Sequence, residues 1–193
     1  MRKSYIVSAK RTAIGSFLGG LATVKPKDMG SAVVKALLED ANVAPENVDE
    51  VICGNVLGAG LGQNIGRTIA LEAGIPETVC AHSVNMVCGS GLRTVMEAVM
   101  SIQCGFNDIV VAGGVESMSG APYLIPANTR TGNKMGNFTV VDHMIYDALT
   151  DARANIHMGV TAENIAKKYN ITREQQDTFA YASQQKAIAA VDS

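Results

Sequence analysis

Four short runs rich in β-branched residues, separated by segments of helical periodicity, occupy the first 118 residues and restrict the chain to folds in which strands and helices alternate. Residues 5–9 (YIVSA), 50–55 (EVICGN), 82–87 (HSVNMV) and 108–112 (DIVVA) are predicted strands. Between them, residues 27–41 place Met29, Val33, Leu37 and Ala41 on one helical face, with Pro26 suited to the first turn. Residues 64–73 carry Ile65 and Ile69 on one face and stop at Gly74 and Pro76. Residues 89–104 carry Leu92, Val95, Met96, Val99 and Met100 at helical spacing and stop at Gly105. Strands joined by single helices predict an α/β layer structure with right-handed crossovers and a sheet that is at least partly parallel.

The alternation fails after Gly113-Gly114. Residues 119–152 show no sustained period and are interrupted by Pro122, Pro126, Gly132 and Gly136. An irregular stretch of that length is expected to be functional or an interface. A helix is then predicted over 161–169, and another from Thr172, where Thr172-Arg173-Glu174-Gln175 fits a capping box, to the last residue. That pattern is still in progress at Ser193, so the chain end reads as a cut. The domain division this implies is an α/β core over 1–118 and a second region over 119–193.

With 16 Lys and Arg against 18 Asp and Glu, the chain lacks the basic excess of a nucleic-acid or anionic-membrane surface. No segment approaches the roughly 18 apolar residues of a membrane span, and the N-terminus does not read as a signal peptide. A cytoplasmic protein is expected. Cys53, Cys80, Cys88 and Cys104 are scattered, with no spacing that suggests zinc or a disulfide framework. Gly58, Gly60 and Gly62 miss the dinucleotide spacing.

Chemistry concentrates in Val84-Asn85-Met86-Val87-Cys88-Gly89-Ser90-Gly91-Leu92-Arg93, where a strand is expected to run into a cysteine at the opening of a helix. Free N–H groups and partial positive charge at a helix start favour thiolate over thiol and can hold an oxyanion. Gly89 and Gly91 let a substrate approach the backbone. The layout parallels a nucleophile elbow with sulfur in place of the serine oxygen. A packing cysteine is the plain alternative. The other three cysteines lack such surroundings and read as core or surface thiols. His82 and His143 read as structural, and Glu116 as a structural carboxylate rather than a base.

The segment Asn85 to Arg93 closely resembles the acyl-accepting cysteine motif of the thiolases, in particular the short-chain biosynthetic acetyl-CoA acetyltransferases. Arg11-Thr12-Ala13-Ile14-Gly15-Ser16-Phe17, Gly54-Asn55-Val56-Leu57 with Gly60-Leu61-Gly62-Gln63-Asn64, Ala112-Gly113-Gly114-Val115-Glu116-Ser117-Met118-Ser119, and His157-Met158-Gly159 with Thr161-Ala162-Glu163-Asn164 also resemble thiolase sequence, in thiolase order. The resemblance implies a thiolase-like N-terminal α/β domain over 1–118, with a mixed, mainly parallel sheet, helices on its faces and its last strand missing. Residues 119–193 would be the first part of a helical and irregular loop domain. It also implies condensation of two acetyl-CoA to acetoacetyl-CoA and CoA through an acetyl-cysteine at Cys88. His157 and Met158 would line the pantetheine and acyl pocket, Leu149 another wall of the CoA site, and Met135 a tetramerisation loop within 121–145. No cofactor is implied beyond the coenzyme A thioester substrates. A homo-oligomer, dimer or dimer of dimers, is expected.

The sequence departs from the family in length. The Asn-Glu-Ala-Phe segment, the Gly-His-Pro segment and the later cysteine of thiolases have no match among these residues. The chain is therefore expected to be a truncated portion, inactive without a C-terminal thiolase half. A catalytically silent oligomerising fragment and a related condensing enzyme are the alternatives.

Overall fold

Strand β1, Glu50–Gly54, is the central strand of a parallel sheet ordered β2-β1-β3, with β2 at Cys80–Val84 and β3 at Val110–Gly114. Glu50 lies opposite Cys80 and Val110, and Gly54 opposite Val84 and Gly114, so the three C-terminal ends are level. The computed structural model that shows this describes residues 2–192. The chain divides into two compact units, 1–148 and 149–193.

Burial on both faces explains why β1 reads as a continuous apolar run rather than an alternating one. Successive side chains point to opposite faces. Val51 and Cys53 join Val111 in a core with Val34 and Leu38 of helix α1 (Pro26–Ala41) and Ile65, Ile69 and Ala70 of helix α2 (Ile65–Glu72). On the other face Gly54 meets the start of helix α3, Ser90–Cys104. Helix α1 opens on Pro26 and ends where Asn42 turns left-handed at φ 51°. Its buried stripe is Ser31, Val34 and Leu38, one position round from the expected Val33 and Leu37. Helix α2 is capped by Asn64, whose side chain accepts from Arg67 N at 3.2 Å.

Helix α3 forms where its periodicity places it but turns the unexpected side inward. Ser90, Thr94 and Ala98 are buried, while Leu92, Met96 and Met100 are exposed. Small side chains are what the sheet accepts here, because Gly54 leaves no room for bulk. A Cβ on Gly54 would stand 2.8 Å from the Ser90 carbonyl carbon and 2.9 Å from Gly91 N. Thr94, fully buried, donates its hydroxyl toward Gly91 O (2.7 Å) and Gly113 O (3.1 Å), tying the helix to β3.

Two expected strands are corrected. Residues 5–9 form no strand. Tyr5, Ile6 and Val7 are exposed, and the bonds around the segment come from side chains: an Arg2–Asp108 ion pair, and Ser8 and Lys10 to Asp40 (2.6 and 2.7 Å). A β-branched run becomes a strand only when a neighbour completes its ladder and buries one face, and this run has neither. The strand expected over 82–87 ends at Val84, because residues 85–89 turn before α3 begins.

The irregular stretch holds only short pieces: an antiparallel pair β4 (Tyr123–Leu124) and β5 (Val141–Asp142), a 3-10 turn Ala127–Thr131, and a π-helical segment Met144–Leu149. In the 149–193 unit, α4 (Met158–Tyr169) begins three residues before the expected 161. Helix α5 (Arg173–Asp192) follows a formed capping box, with Gln175 N donating to Thr172 Oγ1 (3.3 Å) and Thr172 N to Gln175 Oε1 (2.8 Å). Among the described residues no helix is long and apolar enough to cross a membrane.

Candidate active site

Cys88 stands exposed on the turn that carries the chain from β2 into α3, at the level where the three parallel strands end. The turn is tightly specified. Val87 N donates to Asn85 Oδ1 (3.0 Å), and Gly89 N and Ser90 N donate to Met86 O (3.1 Å) and Val87 O (3.0 Å). Ser90 Oγ accepts from Met86 N (2.8 Å) and donates to Val87 O (2.6 Å). Val87 is left-handed at φ 49°, an uncommon conformation for a β-branched residue. Gly89 caps α3 with no side-chain bond, and the Met86 methyl lies against it, 2.7 Å from where a Cβ would stand. A thiol there meets the positive end of the helix dipole.

The other cysteines differ in kind. Cys53 is buried in the core, and burial, with a smaller push from Glu116, raises its thiol to about 11. Cys104 is exposed as the last residue of α3, and Cys80 is exposed at the start of β2, where the first turn of α2 reaches its neighbours through Asn64 Nδ2 to Ala81 O (2.9 Å) and Arg67 to Val79 O; neither precedes a helix in sequence as Cys88 does. A cleft of about 230 Å³ lies on the α1 face, lined by Lys10, Arg11, Val34, Val51, Val111 and Glu116 among others. None of residues 85–89 contributes to it, so Cys88 faces open surface rather than this cleft.

Glu116 belongs to the frame. Its carboxylate accepts from Asn55 Nδ2, Val56 N and Leu57 N, each at 3.0 Å, while Asn55 Nδ2 also donates to Val115 O (3.0 Å). Those bonds clamp the loop after β1 to the end of β3, and a carboxylate so engaged is an anchor rather than a base. His82 bridges Glu50 and Glu97 at 3.3 Å from each. His143 is buried against Asp147, with Nδ1 2.6 Å from Oδ2.

In the 149–193 unit, Asp151 organises a turn by accepting from Arg153 N (3.0 Å) and Ala154 N (2.6 Å), and Asn155 completes it at φ 51°. Thr150 then pairs with His157, which brings Leu149 beside His157 and Met158. His157 caps α4: its Nδ1 accepts from Gly159 N at 3.0 Å. An accepting Nδ1 puts the proton of the neutral ring on Nε2, which is left as a donor. Leu149 and Met158 are half-buried and His157 is exposed. Met135 is nine-tenths exposed, on a loop where Asn133 Nδ2 donates to Gly136 O (2.7 Å).

Sequence reasoning missed Ser90 and Thr94, which hold the elbow and its helix. The available signal was a row of small and hydroxyl side chains at 90, 94 and 98, opposite the apolar stripe.

The family model described as "Thiolase, N-terminal domain" matches residues 4–193. The chain is 52% identical over 193 residues to an acetyl-CoA acetyltransferase of Escherichia coli, covering 100% of this chain and 49% of that protein. Against an acetyl-CoA acetyltransferase of Chromobacterium violaceum it is 55% identical over 185 residues, covering 96% and 47%. A crystal structure of Acat5 thiolase from Ascaris suum in complex with coenzyme A superposes with a TM-score of 0.92 at 39% identity, over 97% of this chain and 48% of that one. The chain spans about half the length of the curated relatives it matches. With a level parallel sheet, a cysteine at the β2–α3 turn and a family match over nearly its whole length, the chain belongs to the thiolase family and carries its N-terminal domain.

Proposed function

We propose that this chain supplies the nucleophile of a thiolase-type acyltransferase, condensing two acetyl-CoA to acetoacetyl-CoA and CoA through an acetyl group on Cys88. The observation that carries the reading is the exposed Cys88 thiol on a pinned turn at the start of α3. The thiolate attacks the thioester carbonyl of acetyl-CoA. The tetrahedral oxyanion is assigned to the backbone N–H of Cys88 itself, since Gly89 N and Ser90 N are held by Met86 O and Val87 O; it then expels CoA as its thiolate, which takes up a proton. A second acetyl-CoA gives up an α-proton to a base, and the carbanion attacks the acetyl carbonyl. The new carbon-carbon bond forms as Cys88 leaves as thiolate.

The base must stand within hydrogen-bond reach of that proton. Among the described residues, Glu116 is engaged by loop donors and His157 Nδ1 by Gly159 N, so the reading assigns the base to a C-terminal half. Leu149, His157 and Met158 are assigned to the pantetheine and acyl pocket, with His157 Nε2–H as the donor. Met135 is assigned to an oligomer contact within 121–145. Residues 119–193 would then be the first part of a loop domain, and the protein a cytoplasmic homo-oligomer.

Complementation tests the reading. Co-expressed with the C-terminal half of an acetyl-CoA acetyltransferase, the chain should form acetoacetyl-CoA, and Cys88→Ser should abolish it. Equal activity of wild type and Cys88→Ser would refute the assignment.

A further inference from the structure

We propose that Ser90 is a positioning residue for Cys88, its hydroxyl holding the bend at 86–88 that sets the thiol at the mouth of α3. The proposal rests on Cys88 being the nucleophile. Val87, immediately before it, is left-handed at φ 49° although β-branched, so the bend runs against the residue's own preference and the bonds of the turn must offset it. Something must hold it there. The Ser90 hydroxyl bonds to both sides of the bend at once, accepting from Met86 N at 2.8 Å and donating to Val87 O at 2.6 Å. Ser90 is only 4% exposed, and the Cβ that Gly54 lacks would stand 3.0 Å from its own Cβ. The clamp is thereby fixed against the end of β1, and the thiol inherits the position of the sheet. A serine at the first position of a helix ordinarily faces solvent or caps the helix. This one points back into the preceding turn, and Gly89 is left as a cap without a side chain.

The four cysteines allow the test on the full chain. Per-residue alkylation rates with iodoacetamide are measured by peptide mass spectrometry for wild type, Ser90→Ala, Val87→Gly and the double variant. Cys80 and Cys104 report exposed thiols, and Cys53 reports unfolding. Ser90→Ala should slow Cys88 by roughly three- to tenfold as it leaves the helix mouth. Cys80 and Cys104 should be unchanged and Cys53 protected. Adding Val87→Gly should recover at least half of the loss, because glycine enters the left-handed bend without the steric cost of valine and the remaining turn bonds then suffice. An unchanged Cys88 rate in Ser90→Ala overturns the proposal, as does failure of the double variant to recover. If Ser90→Ala exposes Cys53, the double variant decides: restored Cys53 protection and Cys88 rate support the clamp, and their absence overturns it. Alkylation requires no acetyl-CoA. Absence of acetyl transfer in every protein, wild type included, would therefore refute the acyl-transfer reading and leave this comparison standing.

Discussion

At the scale of single residues, environment separates four chemically identical thiols. Cys53 is held neutral by burial at about 11 against an ordinary 9.0. The folded chain keeps that proton more tightly than the unfolded one, so above about pH 9 the unfolded state carries fewer protons and stability falls as pH rises through about 11. The loss is about 3 kcal/mol at two pKa units. Urea melts of wild type and Cys53→Ala across that range should show the wild type losing more, and parallel losses would contradict the assignment. His157 offers a second test, since its side chain caps α4 through Gly159 N. His157→Ala should cost about 1 kcal/mol and His157→Asn much less, as read by thermal melting.

Elements were legible in the sequence where their pattern reflects local physics. The Thr172–Gln175 capping box and the Pro26 start of α1 formed as the residues predict, whereas Asn64, read as the first residue of α2, proves to be its cap. Which face a helix buries was less legible, because that depends on its neighbour. The sheet presents Gly54 to α3, and the Gly113 carbonyl takes the Thr94 hydroxyl, so the small stripe 90, 94, 98 packs inward and the larger Leu92, Met96 and Met100 do not. A methyl on Gly54 has no flexible neighbour to displace, nor has one on Gly66, where a Cβ would stand 2.5 Å from His82 O. Gly54→Ala and Gly66→Ala should each destabilise by about 1–3 kcal/mol, seen as a lowered melting temperature, and an unchanged melt would refute the packing. Residues 5–9 were misread as a strand because β propensity reports a fit to a sheet that must be present. Their amides, outside any ladder, should exchange with solvent far faster than those of β1 in hydrogen-exchange measurements.

For the whole molecule, the site was legible in part. The thiol, its turn and the opening of its helix lie within eight residues of sequence, from Asn85 to Leu92, and could be read there. The clamp by Glu116 on residues 55–57 joins segments about 60 positions apart and needed the fold to be seen. Leu92, Met96 and Met100 of α3 are exposed together. Such a face favours association. Sedimentation should show concentration-dependent self-association that Met96→Lys with Met100→Lys reduces, and identical behaviour of the two proteins would count against that face.

The proposed acyl-accepting role of Cys88 is tested most directly by locating the acetyl group itself. The chain is incubated with acetyl-CoA, alone and with a C-terminal thiolase half, and the thioester is mapped by peptide mass spectrometry. The account predicts one labile acetyl, on Cys88, lost in Cys88→Ala. Label spread equally over Cys80, Cys88 and Cys104, or absent under both conditions, would contradict it.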